Sequence, residues 1–445
     1  MSSGPRSTAR WAAQHDQDQR RGRAVNGPGA THGAIDAVWR IESAKIIAGL
    51  ARIVRDVGLA EELAQDALVA ALEKWPSTGV PDNPGAWLMA AAKYRGLDEL
   101  RRRKLLERKH EEYGHELVAR EAHFVIETHE ALDDDVGDDL LRLVFTACHP
   151  VLSPDARVAL TLRLLGGLTT DEIARAFLVP EATIGQRIVR AKRTLAETRV
   201  PFEVPRAAEL PSRLASVLEV IYLVFNEGYA ATAGDDWMRP TLCDEALRLG
   251  RVLAELMPGE PEVHGLVALM EIQASRTAAR VDAQGVPILL LAQNRARWDR
   301  LLIGRGLTAL ARAEALGGAL GPYALQGAIA ACHARARTAE ATDWARIAAL
   351  YDALAQLMPS PVVALNRAVA VSMAFGPAAG LEIVDALVAD GALQGYHLLP
   401  SVRGDLLAKL GRTAEACAHF KAAAALTRNA RERALLLERA ADCAR

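Results

Sequence analysis

Aromatic side chains make up only 5% of this 445-residue chain, and its five cysteines stand alone, with no CxxC pair. Isolated cysteines exclude both a disulfide framework and a cysteine zinc site, and they suit a reducing cytoplasm. No apolar run is long enough for a membrane span. The longest weakly charged stretch, Ala315 to Ala334, is broken by Gly317, Gly318, Gly321, Pro322 and Gly327. Strand signals are nearly missing too: only Val286 to Leu291 tempts, and Pro287 weakens it. No Gly-rich phosphate loop, nucleophile elbow or paired metal-ligand spacing occurs. Cys148-His149 has no second pair and reads as a packed thiol, while Asp133 to Asp135 with Asp138 and Asp139 reads as an acidic connector. No catalytic residue, metal or cofactor is therefore expected.

What remains is apolar content of 51% carried by Ala, Leu and Val, with 24% charged residues. Ala and Leu lose little entropy in a helix, so the chain is expected to be all-α. The net charge of −2 hides a segregation along the chain. Lys93 to Lys109 holds eight Lys/Arg against three acids, and Glu181 to Arg199 five against two; Glu127 to Asp139 holds seven acids and no Lys or Arg. Basic helices bind phosphate backbones, and a solvated helix face also explains a single basic run.

Turn-rich and charged stretches divide the chain. Residues 1–30 read as a disordered tail and 31–108 as helices broken by the Pro/Gly-rich Trp75 to Pro84. Residues 109–137 read as an acidic linker, 138–199 as a second compact helical unit, and 200–445 as a larger helical block. In that block Gly404, Leu407, Gly411, Ala416, Phe420 and Ala423 follow the offsets of a tetratricopeptide helix pair. A weaker copy surrounds Leu365, Gly376 and Leu381. An irregular helical bundle is the competing description.

Leu168 to Arg193 has the layout of a helix–turn–helix. Thr169 or Thr170 caps a first helix with Glu172 reaching back, Leu178-Val179-Pro180 makes the turn, and a second helix begins near Glu181. Ile184, Ile188, Ala191 and Leu195 recur at helical spacing. This leaves Thr183, Gln186, Arg187, Arg190 and Arg193 facing out, the residue types that read base edges and phosphates in the major groove. Upstream, Ala60 to Trp75 is an amphipathic helix with Leu63, Ala67, Leu68 and Leu72 inside and an acid-rich face of Glu61, Glu62, Gln65 and Asp66. Beyond the turn, Trp87, Lys93, Tyr94, Arg95, Arg101 and Arg102 interleave rings with cations. That combination suits single-stranded DNA, because rings stack on bases while cations hold the backbone.

Together these two constellations resemble sigma factors of bacterial RNA polymerase, of the compact extracytoplasmic-function class. The resemblance implies that Glu61, Glu62, Gln65 and Asp66 dock on the β′ clamp. It implies that Trp87, Lys93, Tyr94, Arg95, Arg101 and Arg102 melt and read the −10 element. It also implies that the helix–turn–helix reads the −35 element through Thr183, Gln186, Arg187, Arg190 and Arg193 and touches the β flap. The family carries Asn where this chain has Tyr94, a small residue where Leu178 stands, and often Lys at Gly185. Tyr222 to Tyr229, Leu242 to Ala246 and Pro361 to Ala368 resemble a subgroup with a fused tetratricopeptide-like extension, which has Gln-Asp-Arg where Gln293-Asn294-Arg295 stands here. The resemblance implies a cytoplasmic, non-enzymatic protein with core RNA polymerase and promoter DNA as partners and a further protein partner at the extension. The alternative is a stand-alone helix–turn–helix regulator with a peptide- or protein-sensing extension; such a regulator needs no docking and melting helices ahead of its reading helix.

Overall fold

A computed structural model describes residues 28–96, 136–177 and 179–443. Residues 1–27 of the expected tail, most of the expected acidic linker, and Arg101, Arg102 and Leu178 lie outside the described residues, while residues 28–30, expected in the tail, are helical. The described chain is helical nearly throughout, as composition predicts. It divides into two compact units: one runs to Ile173 and resumes over Glu181–Leu214, and the other takes Ala174–Pro180 and the chain from Ala215 onward.

The first unit starts with α1 (Pro28–Val54) and α2 (Val57–Thr78), packed along their lengths. Asp56 caps α2 by accepting from the Leu59 amide at 3.0 Å. Gly79, at φ 85°, ends the helix, its amide returning to the Trp75 carbonyl. Ala60, Leu63, Ala64, Ala67 and Ala71 form the buried stripe of α2, closed by Trp75. After α3 (84–96), helix α4 (Val136–Ala147) packs on α1. There the buried Asp139 accepts from Arg52 at 3.2 Å and from Arg142 at 2.6 Å. Next come α5 (Pro154–Leu164), α6 (Thr170–Phe177) and α7 (Glu181–Glu197), with α5 packed on α7. The Cys148 thiol lies buried 3.3 Å from Thr161 Oγ1, and burial pushes its pKa up to about 11, so it stays a thiol.

The long α8 (Leu210–Tyr229) leads into the second unit, where α9 (Pro240–Leu256), α10 (Pro261–Ala274), α11 (Arg300–Ala315), α12 (Pro322–Arg335), α13 (Trp344–Leu357), α14 (Pro361–Phe375), α15 (Pro377–Ala389), α16 (Leu398–Lys409), α17 (Thr413–Leu426) and α18 (Ala430–Asp442) follow. Most neighbours in this series pack on each other in turn, each burying its stripe against the helix before and after. Close approach is set by small residues. A Cβ at Gly265 would sit 2.6 Å from the Ala324 amide nitrogen, and one at Gly404 would sit 3.0 Å from the Phe420 ring. A two-residue parallel pairing joins β1 (Ala233–Gly234) to β2 (Arg428–Asn429). The buried Asn429 donates there to the carbonyls of Ala231 and Asp236 at 3.1 and 2.8 Å. Residues 286–291 form no strand; they run as a loop into a short 3-10 turn, Leu290–Ala292.

Candidate nucleic-acid and polymerase interface

The helix–turn–helix segment is built by local chemistry. The Thr169 amide donates to Glu172 Oε2 at 2.8 Å and the Glu172 amide donates to Thr169 Oγ1 at 3.1 Å, a reciprocal capping box that starts α6. After the turn, Ile184, Ile188, Ala191 and Leu195 are the buried residues of α7, the four that helical periodicity selects. Gln186, Arg190 and Arg193 are exposed, and Thr183 and Arg187 are half-buried. Two of the three arginines are engaged: Arg187 pairs with Asp155 of α5 at 3.0 Å and Arg193 with Glu197 at 2.6 Å. Arg190 makes no ion pair among the described residues, so it and Gln186 are the ready groups of this face.

On α3 the expected melting residues take different environments. Tyr94 is 76% exposed. Arg95 is also exposed and pairs with Asp66 of α2 at 3.2 Å. Trp87 is half-buried and meets Trp75 edge-on at 5.3 Å, while the Lys74 ammonium stands 5.9 Å from its centroid. Lys93 departs from the outward position that alternation with aromatics suggested. It is half-buried, and burial, then the nearby Arg52, lowers its pKa against the opposing pull of Asp139.

The acidic face of α2 is where the structure corrects the sequence reading most. Glu62 and Asp66 are exposed and Gln65 half-buried, but Glu61 is only 3% exposed. Its carboxylate accepts from Arg163 Nε of α5 at 2.6 Å and from Gln65 at 2.5 Å, and it pairs with Lys192 of α7. Glu61 thus joins three helices of the first unit instead of facing outward. Lys192, counted with the basic surface of the reading helix, is turned inward by the same contact. Both long side chains start at the border of a helix face, where the stem can be covered while the charge goes to whichever partner is near.

Residues 42–105 match the family described as Sigma-70 region 2, and residues 142–195 match Sigma-70 region 4. Residues 213–314 match DUF6596, a family of unknown function. The chain is 45% identical over 406 residues to the uncharacterized protein R00370 of Rhizobium meliloti (strain 1021), covering 91% of this chain and 94% of that one. The probable ECF RNA polymerase sigma factor SigI of Mycobacterium tuberculosis is 25% identical over 176 residues. That match spans 40% of this chain and 59% of SigI. The ECF RNA polymerase sigma factor SigK of Mycobacterium ulcerans is 29% identical over 150 residues, spanning 33% of this chain and 75% of SigK.

Proposed function

This chain belongs to the family of the Rhizobium meliloti protein R00370 and carries sigma-70 region 2 and region 4 domains, and from that premise we propose that it is a dissociable, non-catalytic sigma subunit of the extracytoplasmic-function class. It binds core RNA polymerase in the cytoplasm and directs initiation by reading −10 and −35 elements. The observation that carries this reading is the pair of matches in chain order, region 2 over 42–105 and region 4 over 142–195. A stand-alone regulator would not need the first of them. Among the described residues no helix is long and apolar enough to cross a membrane.

In this reading the exposed Glu62 and Asp66 of α2 meet basic groups on the β′ clamp. Tyr94, Arg95 and the ring of Trp87 act at the −10 element, and Gln186 and Arg190 lead at the −35 element. The extension is a tetratricopeptide-like array that regulates or supports these contacts and offers a face to a protein partner. The series of helices, each packed on the next, and the seating of Phe420 against Gly404 support it.

The test is promoter-dependent transcription by core polymerase with and without the full-length protein, beside co-purification of the two. Glu62→Lys with Asp66→Lys is expected to weaken co-purification at moderate salt while leaving thermal stability within about 0.5 kcal/mol of the parent. Unchanged capture of polymerase would remove α2 from the docking surface.

A second expectation separates the arginines of α7. Arg190→Ala should lower affinity for duplex carrying the upstream element by about 1–3 kcal/mol, the worth of a bidentate base contact. Arg187→Ala should cost less, because Arg187 must first leave Asp155 to reach DNA. Fluorescence anisotropy with a labelled duplex measures both, and equal losses would mean that the ion pair does not restrain Arg187.

A further inference from the structure

Three arginines lie inside the second unit with more than nine-tenths of their surface covered: Arg276 is 8% exposed, and Arg280 and Arg295 are each 7% exposed. They come from the irregular segment between α10 and α11, where the chain makes the short 3-10 turns Thr277–Ala279, Leu290–Ala292 and Arg295–Arg297. Aromatic rings hold them in a row. The Tyr229 ring takes the Arg280 guanidinium at 3.5 Å and that of Arg276 at 5.7 Å. The Trp298 ring takes Arg276 at 5.8 Å and Arg295 at 4.8 Å. Arg276 therefore shares the Tyr229 ring with Arg280 and the Trp298 ring with Arg295.

The outer two arginines have evident structural work. Arg280 donates to the Tyr229 carbonyl at the end of α8. Arg295 donates to the carbonyls of His333 and Ala336 at 2.5 and 2.9 Å, and to Thr342 Oγ1 at 3.1 Å. Cations at helix C-termini complement the exposed carbonyl ends. Arg276 does neither: its backbone bonds within the turn, but among the described residues its side chain makes no hydrogen bond or ion pair, and its Nε is buried without a partner. Other buried polar atoms in the same region, Gln293 Oε1, Arg295 Nε and His333 Nδ1, also lack partners.

Among the described residues none of the three arginines forms an ion pair with a carboxylate. Glu271 at the end of α10 pairs with Arg251 at 2.8 Å, and Glu227 is paired with Arg239. Glu340, which acts on Arg295, is exposed to solvent. Burial, with Arg276 and Arg295 adding to it, pushes the His333 pKa down to about 4 and keeps the ring neutral. A buried guanidinium with neither counter-charge nor hydrogen bonds is costly, and proteins keep such groups where something else completes them. The group that completes a planar donor fork beside further cations is a compact oxyanion, and a dianionic phosphate matches several arginines best.

We propose that Arg276, clamped between Tyr229 and Trp298 and flanked by Arg280 and Arg295, is the anchor of a phosphate-binding site in the second unit, taking inorganic phosphate or the phosphate of a small phosphomonoester. All five residues lie within the 213–314 segment that matches a family of unknown function, so the site assigns a ligand class to that segment. It is independent of the promoter-reading role of the first unit.

The experiment is thermal unfolding of the full-length protein in buffer free of phosphate and sulfate. Inorganic phosphate is titrated against sodium chloride and sodium acetate at matched ionic strength. A saturable rise of at least about 3 °C in the midpoint of the second unit is expected with phosphate alone. Arg276→Met, which keeps an unbranched stem between the two rings, should retain helicity and lose the rise. Arg276→Lys keeps the charge without the fork and should weaken apparent phosphate affinity at least about tenfold; it decides the matter if the Met variant fails to fold. Glucose 6-phosphate as a second probe separates the sources: tighter binding than inorganic phosphate assigns a phosphomonoester, and equal binding assigns free phosphate. A phosphate response no larger than that of chloride or acetate, or one unchanged in Arg276→Lys, would overturn the proposal.

Discussion

Replacing Glu61 by Ala is expected to destabilise the first unit by about 3 kcal/mol, the lower end of the range for removing one partner from a buried ion pair. The lower end applies because Arg163 and Lys192 keep about a fifth of their side-chain surface in solvent and can turn toward water when the carboxylate is gone. Glu61→Gln should cost less than Glu61→Ala, since the amide oxygen still accepts from Arg163 while the charge is lost. The effect belongs to α2, α5 and α7 together. Amide hydrogen exchange should therefore accelerate in all three helices, with α16–α18 of the second unit unchanged. Unchanged protection in α5 and α7 would mean that Glu61 does not couple them. The same variant bears on function. Glu61 is committed to contacts inside the unit, so its loss should act through stability, whereas Glu62→Lys with Asp66→Lys should lower polymerase capture with little change in stability.

The second large effect is expected at Phe420. Its ring is almost fully buried between α16 and α17, with Gly404 beneath it and the Arg439 guanidinium 4.3 Å from its centroid. Phe420→Ala removes the largest side chain of a cluster that includes Leu406, Leu407, Ala416, Ala423, Leu436 and Ala440. A cost of about 3–5 kcal/mol is expected, read by denaturant unfolding of the second unit. Gly404→Ala alone should also destabilise, because the added methyl would stand 3.0 Å from the ring. In the Phe420→Ala background the same methyl enters vacated space, so Gly404→Ala should become neutral or favourable. That change of sign is the signature of direct coupling. Additive losses would show that Gly404 is small for a reason other than Phe420.

Much of the architecture was legible from the residues because it is governed by interactions close in sequence. The capping box of Thr169 and Glu172 and the stop at Gly79 each involve groups within four residues. The buried stripe Ile184, Ile188, Ala191 and Leu195 follows from 3.6-residue periodicity alone, and the exposed positions Gln186, Arg190 and Arg193 follow with it. Glycine spacing foretold the Gly404–Phe420 contact for the same reason, since the two residues lie on neighbouring helices joined by a short turn.

Periodicity identifies which face of a helix is covered; it does not say what covers it. Glu61 and Arg163 are 102 positions apart, and only the packing of α5 and α7 against α2 turns an apparently outward acid into a buried junction. Lys192 and Lys93 were counted as surface cations for the same reason: a long charged side chain at the edge of a face can go either way, and its partner is chosen by tertiary structure. Arg276 and Arg280 carried no signal, and Arg295 only the run Gln293-Asn294-Arg295 that stands where the subgroup has Gln-Asp-Arg. They are scattered among turns, and the rings of Tyr229 and Trp298 come within reach of them only in the folded chain. The sequence by itself determined the helices, the capping box of the helix–turn–helix and the order of the region 2-like and region 4-like segments, because those rest on local hydrogen bonds and spacing. Tertiary structure alone decided which charges are buried, because a desolvated charge is stabilised by partners that only the folded chain brings within reach.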